Sequence, residues 1–138
     1  MIKINSDNSI NLEKYKIKNK KELKLNEEIF IGNLIYNRRE GKGLMYYNNG
    51  DRYEGDWIND IKEGKGTMYY NNGNRYEGNF KNEKREGKGI MLYNNGDRYE
   101  GDWKNDLFEG NGIYNFNNDD RYEGDWKNDK RDGKGDLL

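Results

Sequence analysis

The chain of 138 residues is sized for one small domain. Basic and acidic residues nearly cancel, 25 against 26, so self-repulsion does not expand it, and the lack of Cys and His removes disulfides, zinc-thiolate sites and the usual general base. Ile, Leu and Phe total only 24 and Val is absent, too little for an aliphatic core, whereas 18 Gly, 12 Tyr, 4 Phe and 3 Trp mark a chain that packs by other means.

Residues 1–26 read as a leader or cap, partly disordered or holding a degenerate strand. The first ten residues lack the apolar stretch of a secretory signal, and no run in the chain reaches the ~18–20 apolar residues of a helical span, so a cytoplasmic protein is the expectation. Within this leader, Lys14, Lys16, Lys18, Lys20, Lys21 and Lys24 face only two Glu. Two readings stand: a solvated segment, or contact with an acidic surface such as anionic lipid, nucleic acid or an acidic protein tail. Leu23 and Leu25 are placed to form a strand that caps Phe30–Leu34 through a four-residue loop.

From residue 27 to 138 the chain repeats itself. Gly41, Gly64, Gly87, Gly110 and Gly133 are each 23 residues apart; Tyr53, Tyr76, Tyr99 and Tyr122 keep that stride, as do Trp57, Phe80, Trp103 and Trp126. Each unit holds two short aromatic-rich runs around Asn-Asn-Gly, a hairpin signature. Side chains alternate faces along a strand, so Met45, Tyr47, Tyr53 and Trp57 share a face only if the loop is Asn48-Asn49-Gly50 with Gly50 left-handed. In the fourth unit Asp119 stands where that Gly belongs. This register sets Met45 opposite Tyr53 and Gly43 opposite Gly55, with Gly55 beside Gly66 of the next unit. A column of glycines then crosses the aromatic face, and Tyr and Trp rings lie over bare backbone in place of an aliphatic core. The opposite face reads as solvated, with Lys42 facing Asp56 and Tyr46 facing Arg52. Short connections throughout predict an all-β, single-layer, twisted antiparallel meander of about ten strands, drawn out into a rod.

Tyr53-Glu54-Gly55-Asp56-Trp57, followed by Gly64-Lys65-Gly66 and repeated in phase, resembles the MORN-repeat family (membrane occupation and recognition nexus). The first unit departs from the pattern, with Phe30 for Tyr and Leu34 for Trp, and residues 1–29 lie outside it. The resemblance implies a hairpin rod that acts as a scaffold, docks partners, often self-associates, and in protists commonly sits on cytoskeletal or ciliary structures. Phosphoinositide binding has also been proposed for the family.

Two readings attach to Tyr53, Trp57, Tyr76, Phe80, Tyr99, Trp103, Tyr122 and Trp126: they pack the glycine column, or part of their face stays open as a groove for a partner helix or strand. The linker residues Ile58, Ile61, Leu107 and Phe108 are apolar where sibling units carry Lys or Arg, which suggests either local packing or a unit-specific contact. Gly135-Asp136-Leu137-Leu138 ends within a first strand, so Leu137 and Leu138 mark either a piece of a longer array or an edge for self-association. No catalytic, cofactor-binding or metal-binding residue is expected, because near-identical copies give no carboxylate pair a distinct environment. Interspersed charges give no nucleic-acid stripe. The expected function is a non-enzymatic scaffold binding protein along its aromatic face, in the cytoplasm and associated with cytoskeleton or cilium. The alternatives are a peripheral module on anionic lipid at the cytoplasmic membrane surface, or the targeting part of a larger enzyme.

Overall fold

The computed structural model describes residues 21–25 and 28–137, and every element among them is a strand. In chain order these are β1 (Lys21–Leu25), β2 (Glu28–Ile35), β3 (Arg38–Tyr46), β4 (Arg52–Ile58), β5 (Ile61–Tyr69), β6 (Arg75–Lys81), β7 (Lys84–Leu92), β8 (Arg98–Lys104), β9 (Leu107–Asn115), β10 (Arg121–Lys127) and β11 (Lys130–Leu137). They form one antiparallel sheet in which each strand neighbours only those before and after it in sequence. At ~4.8 Å per strand step, the sheet runs roughly 48 Å from first strand to last. The meander is as the repeat predicts, with one strand more than the ten expected. The first strand pairs Leu23 with Phe30 and Leu25 with Glu28, so β2 begins earlier than a four-residue loop would allow.

Two kinds of hairpin alternate. The Asn-Asn-Gly loops have the expected register: Tyr46 pairs with Arg52, Met45 with Tyr53 and Gly43 with Gly55. The Tyr47 amide donates to Asp51 O at 2.9 Å and the Gly50 amide to Tyr47 O at 3.1 Å, closing a three-residue loop with Gly50 at φ 93°. Asp119 holds the same left-handed position at φ 73°. A Cβ there costs about 1–2 kcal/mol, of which a flexible Gly in the unfolded chain returns part. Asp119→Gly is therefore expected to raise the melting temperature by a few degrees, read by circular dichroism. A lower melting temperature would contradict it.

The second hairpin, implied by the Gly55–Gly66 pairing, closes more tightly than its six-residue linker suggests. Ile58 pairs with Ile61 around Asn59-Asp60, both at positive φ (53° and 71°), and the same primed two-residue turn recurs at Asn82-Glu83, Asn105-Asp106 and Asn128-Asp129. These non-glycine turns are held by the preceding unit. The Asn59 amide donates to Glu40 Oε1 at 2.7 Å, and the Arg39 amide donates to Asp60 Oδ1 at 2.8 Å. A bulge follows each turn: Gly55 pairs with Gly66 but Trp57 with Lys62, and Gly64, at φ 96°, sits in the irregularity. A second spine runs along the longer loops, where Asn71, Asn94 and Asn117 side-chain amides donate to the carbonyls of Asn49, Asn72 and Asn95 at 2.6, 2.7 and 3.0 Å. Successive units are thus fixed at both ends of every strand pair, which sets the pitch of the repeat.

Candidate binding surfaces

On one face the rings form a zigzag. Phe30, Trp57, Tyr53, Phe80, Tyr76, Trp103, Tyr99, Trp126 and Tyr122 meet edge to face, with successive centroids 5.1–5.6 Å apart. Each Tyr ring lies over glycine backbone of the adjacent strand. A Cβ on Gly66 or Gly89 would overlap Tyr53 or Tyr76, and one on Gly55 would come within 2.5 Å of Gly66 Cα. The hydroxyls of Tyr53, Tyr76 and Tyr99 donate to the carbonyls of Asp56, Asn79 and Asp102 at 2.9 Å, and the Trp103 and Trp126 indoles donate to Gly89 and Gly112 carbonyls at 3.1 Å. Burial pushes all three Tyr hydroxyls up from their ordinary value.

This stripe carries its own roof. Met45, Met68 and Met91 are buried in it, and Tyr47, Tyr70, Tyr93, Tyr114 and Phe116 pack against it. Above the rings sit cations from the linkers: Arg39 is 4.4 Å from the Trp57 centroid, Arg85 is 4.9 Å from Trp103, and Lys62 is 5.5 Å from both Tyr53 and Phe80. Each cation pairs with a carboxylate of the next turn, Asp60, Asp106 or Glu83 respectively. Lys62 is only 7% exposed, and burial lowers its pKa while Glu83 opposes the shift.

The predicted ring residues are consequently interior. Tyr53, Tyr76 and Tyr99 are 0% exposed, and Trp57, Phe80, Trp103, Tyr122 and Trp126 are buried too. A partner approaching this face meets the Tyr, Arg and Lys roof first. Of the apolar linker residues, Ile58 is 55% exposed, Ile61 and Leu107 are half-buried, and Phe108 is buried against Tyr99, Trp103 and Trp126. Lys21 and Lys24 fall on β1; Lys14, Lys16, Lys18 and Lys20 lie outside the described residues. Leu137 ends β11, whose only neighbour among the described strands is β10, and Leu138 is outside the described residues.

The open concavity is on the other face. A groove of about 1170 Å³ crosses the sheet from Lys42 on β3 to Gly124 on β10. Its floor is the glycine column, seen from behind. One wall alternates acid with uncharged residue through direct cross-strand pairs: Glu54, Thr67, Glu77, Ile90, Glu100, Ile113 and Glu123. The other carries Lys42, Lys65, Asn79, Lys88 and Asn111, with Lys42 and Lys88 ion-paired to Asp56 and Asp102. On the acid wall, Glu77 and Glu100 meet Arg75 and Arg98 at 3.1 and 2.9 Å, and the Tyr69 hydroxyl donates to Glu54 at 3.2 Å. The signal for this groove was present in the sequence: the residue after each of the first four Gly-x-Gly runs is Leu44, Thr67, Ile90 or Ile113, uncharged where the directly paired residues are Glu54, Glu77, Glu100 and Glu123. Among the described residues no group of three or more acidic side chains is placed to hold a metal ion, and no helix is long and apolar enough to cross a membrane.

A single antiparallel ribbon of hairpins, packed by rings on glycine and grooved along its back, defines a β-hairpin repeat protein. Residues 30–52, 53–75, 76–98, 99–121 and 122–137 each match the MORN repeat, and the chain belongs to the MORN-repeat family. No protein of curated function matches it.

Proposed function

We propose that the protein is a non-enzymatic scaffold that receives a segment of a partner protein in the glycine-floored groove. The observation that carries this reading is the groove's continuity across eight strands, β3 to β10, on the face that the described residues leave open. Seven strand steps of ~4.8 Å make it roughly 34 Å long. About ten extended residues or about 22 helical ones span that length. Thr67, Ile90 and Ile113 recur every second strand, about 9.6 Å apart, close to the ~10.5 Å rise between i and i+7 of a helix. A cytoskeletal or ciliary setting is the one we expect for such a scaffold.

The test fills the groove without touching the ring stripe. Ile90→Arg with Ile113→Arg is expected to abolish specific, saturable capture of partner proteins while leaving the melting temperature within a few degrees of the parent. Unchanged capture would refute docking in the groove. Flotation with vesicles containing anionic lipid addresses the membrane alternative: salt-sensitive binding that survives the groove substitutions would favour it.

A further inference from the structure

Each linker of the array places one residue over the ring stripe and one carboxylate in the turn 21 residues later. At Arg39 and Asp60, Lys62 and Glu83, and Arg85 and Asp106 the pattern is the same. The backbone amide donates to the carboxylate, at 2.8, 3.0 and 2.8 Å, and the side-chain cation of the same residue pairs with that carboxylate. The fourth linker keeps the carboxylate and loses the cation. The Phe108 amide donates to Asp129 Oδ1 at 2.6 Å, yet Phe108 has no charge to offer, and Asp129 makes no ion pair among the described residues. The next cation along, Arg131, stands over Tyr122 and Phe116, at 5.0 and 5.7 Å.

A second departure lands at the same place. Where the other units carry Met45, Met68 and Met91, the fourth carries Tyr114. Its ring is 5.9 Å from Tyr93 and 6.2 Å from Phe108, and its hydroxyl donates to Asp97 at 2.6 Å. Phe108, Tyr93, Tyr114 and Asp129 line one cavity of about 490 Å³, and Arg85 and Asp106 line it too, as an already neutralised pair. That volume is in the range of small-ligand sites. Two substitutions in one unit have thus replaced a built-in cation by aromatic walls while retaining the counter-charge.

We propose that this cavity is a cation site whose ligand is the guanidinium of an arginine presented by a partner polypeptide. The chain itself supplies the template, because Arg39 and Arg85 make the same combination of ring face and turn carboxylate inside the molecule. A planar guanidinium stacks on an aromatic face and presents N–H donors at its edge to a carboxylate, which an ammonium does less well. The site lies on the face opposite the groove and goes beyond the groove reading.

Titration of the whole protein with ethylguanidinium chloride, at ionic strength held constant with sodium chloride, tests it. Saturable proton shifts are expected at the rings of Tyr93, Tyr114 and Phe108, weaker for butylammonium. Asp129→Asn keeps an acceptor for the Phe108 amide and is expected to lose saturation. Phe108→Arg restores the arrangement of the sibling units; it is expected to occupy the site internally, abolish the shifts and raise the melting temperature. If Phe108→Arg fails to fold, Asp129→Asn alone decides. Shifts that rise linearly without saturating, or that persist unchanged in Asp129→Asn, overturn the proposal, and preference for butylammonium overturns the guanidinium assignment. Retention of the shifts in the Ile90→Arg, Ile113→Arg variant separates this site from the groove; their loss there would overturn its independence.

Discussion

Gly89→Ala is expected to cost about 2–4 kcal/mol, a drop in melting temperature of about 10 °C. The new Cβ would sit 2.5 Å from Cε1 and Cζ of Tyr76. That ring has nowhere to go. Phe80 and Trp103 meet it edge to face at 5.1 and 5.2 Å, it is fully buried, and its hydroxyl is tied to Asn79 O at 2.9 Å. Overpacking of this kind costs about 1–3 kcal/mol, and displacing the ring forfeits a buried hydrogen bond of about 1 kcal/mol. The instructive control is Gly96→Ala. Gly96 occupies a left-handed turn at φ 95°, where a Cβ would meet only Asn117 Cβ at 3.3 Å. Its penalty is the backbone term of about 1–2 kcal/mol. Urea titrations of both variants separate the two roles of glycine; equal losses would show that the rings yield and that the column is not what packs this protein.

The contrast shows what could be read from the residues and what could not. Parity alone fixed the Asn48-Asn49-Gly50 loop, because Met45 and Tyr53 share a face only in that register, and the Gly43, Gly55 and Gly66 column followed from it. The tight turn of the other hairpin was hidden. Asn59-Asp60 carries no glycine, and its left-handed pair is hydrogen-bonded to Glu40 and Arg39, about twenty residues back. No local propensity reports such a long-range anchor. For the same reason nothing local sets Arg39, Lys62 and Arg85 apart until the register brings them over the rings, whose residues are interior. The open groove lies on the back of the sheet, where the cue was Thr67, Ile90 and Ile113, each uncharged and paired across to a glutamate. Phe108 was conspicuous as a departure from its siblings, but its consequence, an Asp129 with no ion pair among the described residues, depends on a contact that only three-dimensional register supplies.

Alkali offers a sharper probe of the ring stripe than any truncation, and the expected result is cooperative unfolding above about pH 11. Burial raises the Tyr53, Tyr76 and Tyr99 hydroxyls well above the ordinary 10.0, and Tyr93 to about 12. Each of the three interior hydroxyls also points at a carbonyl oxygen that would repel a phenolate. An unfolded chain releases these protons near 10, whereas the folded chain keeps them. The stability they lend is therefore complete below pH 10 and is lost as pH climbs through the folded values, at about 1.4 kcal/mol per unit for each Tyr. Three acting together remove about 4 kcal/mol per unit, against a small domain's total of about 5–15 kcal/mol. Lys62 works in the opposite sense: burial lowers its folded pKa, so stability gains with pH up to its ordinary 10.5 and nothing beyond. The tyrosines prevail above that point. Phenolate absorbance from the interior rings should appear together with loss of the β-sheet circular dichroism signal, and Tyr99→Phe should make the pH dependence shallower by one proton. A gradual phenolate rise centred at pH 10 with the sheet signal intact would mean that water already reaches these hydroxyls, and that the rings are not sealed against the glycine backbone.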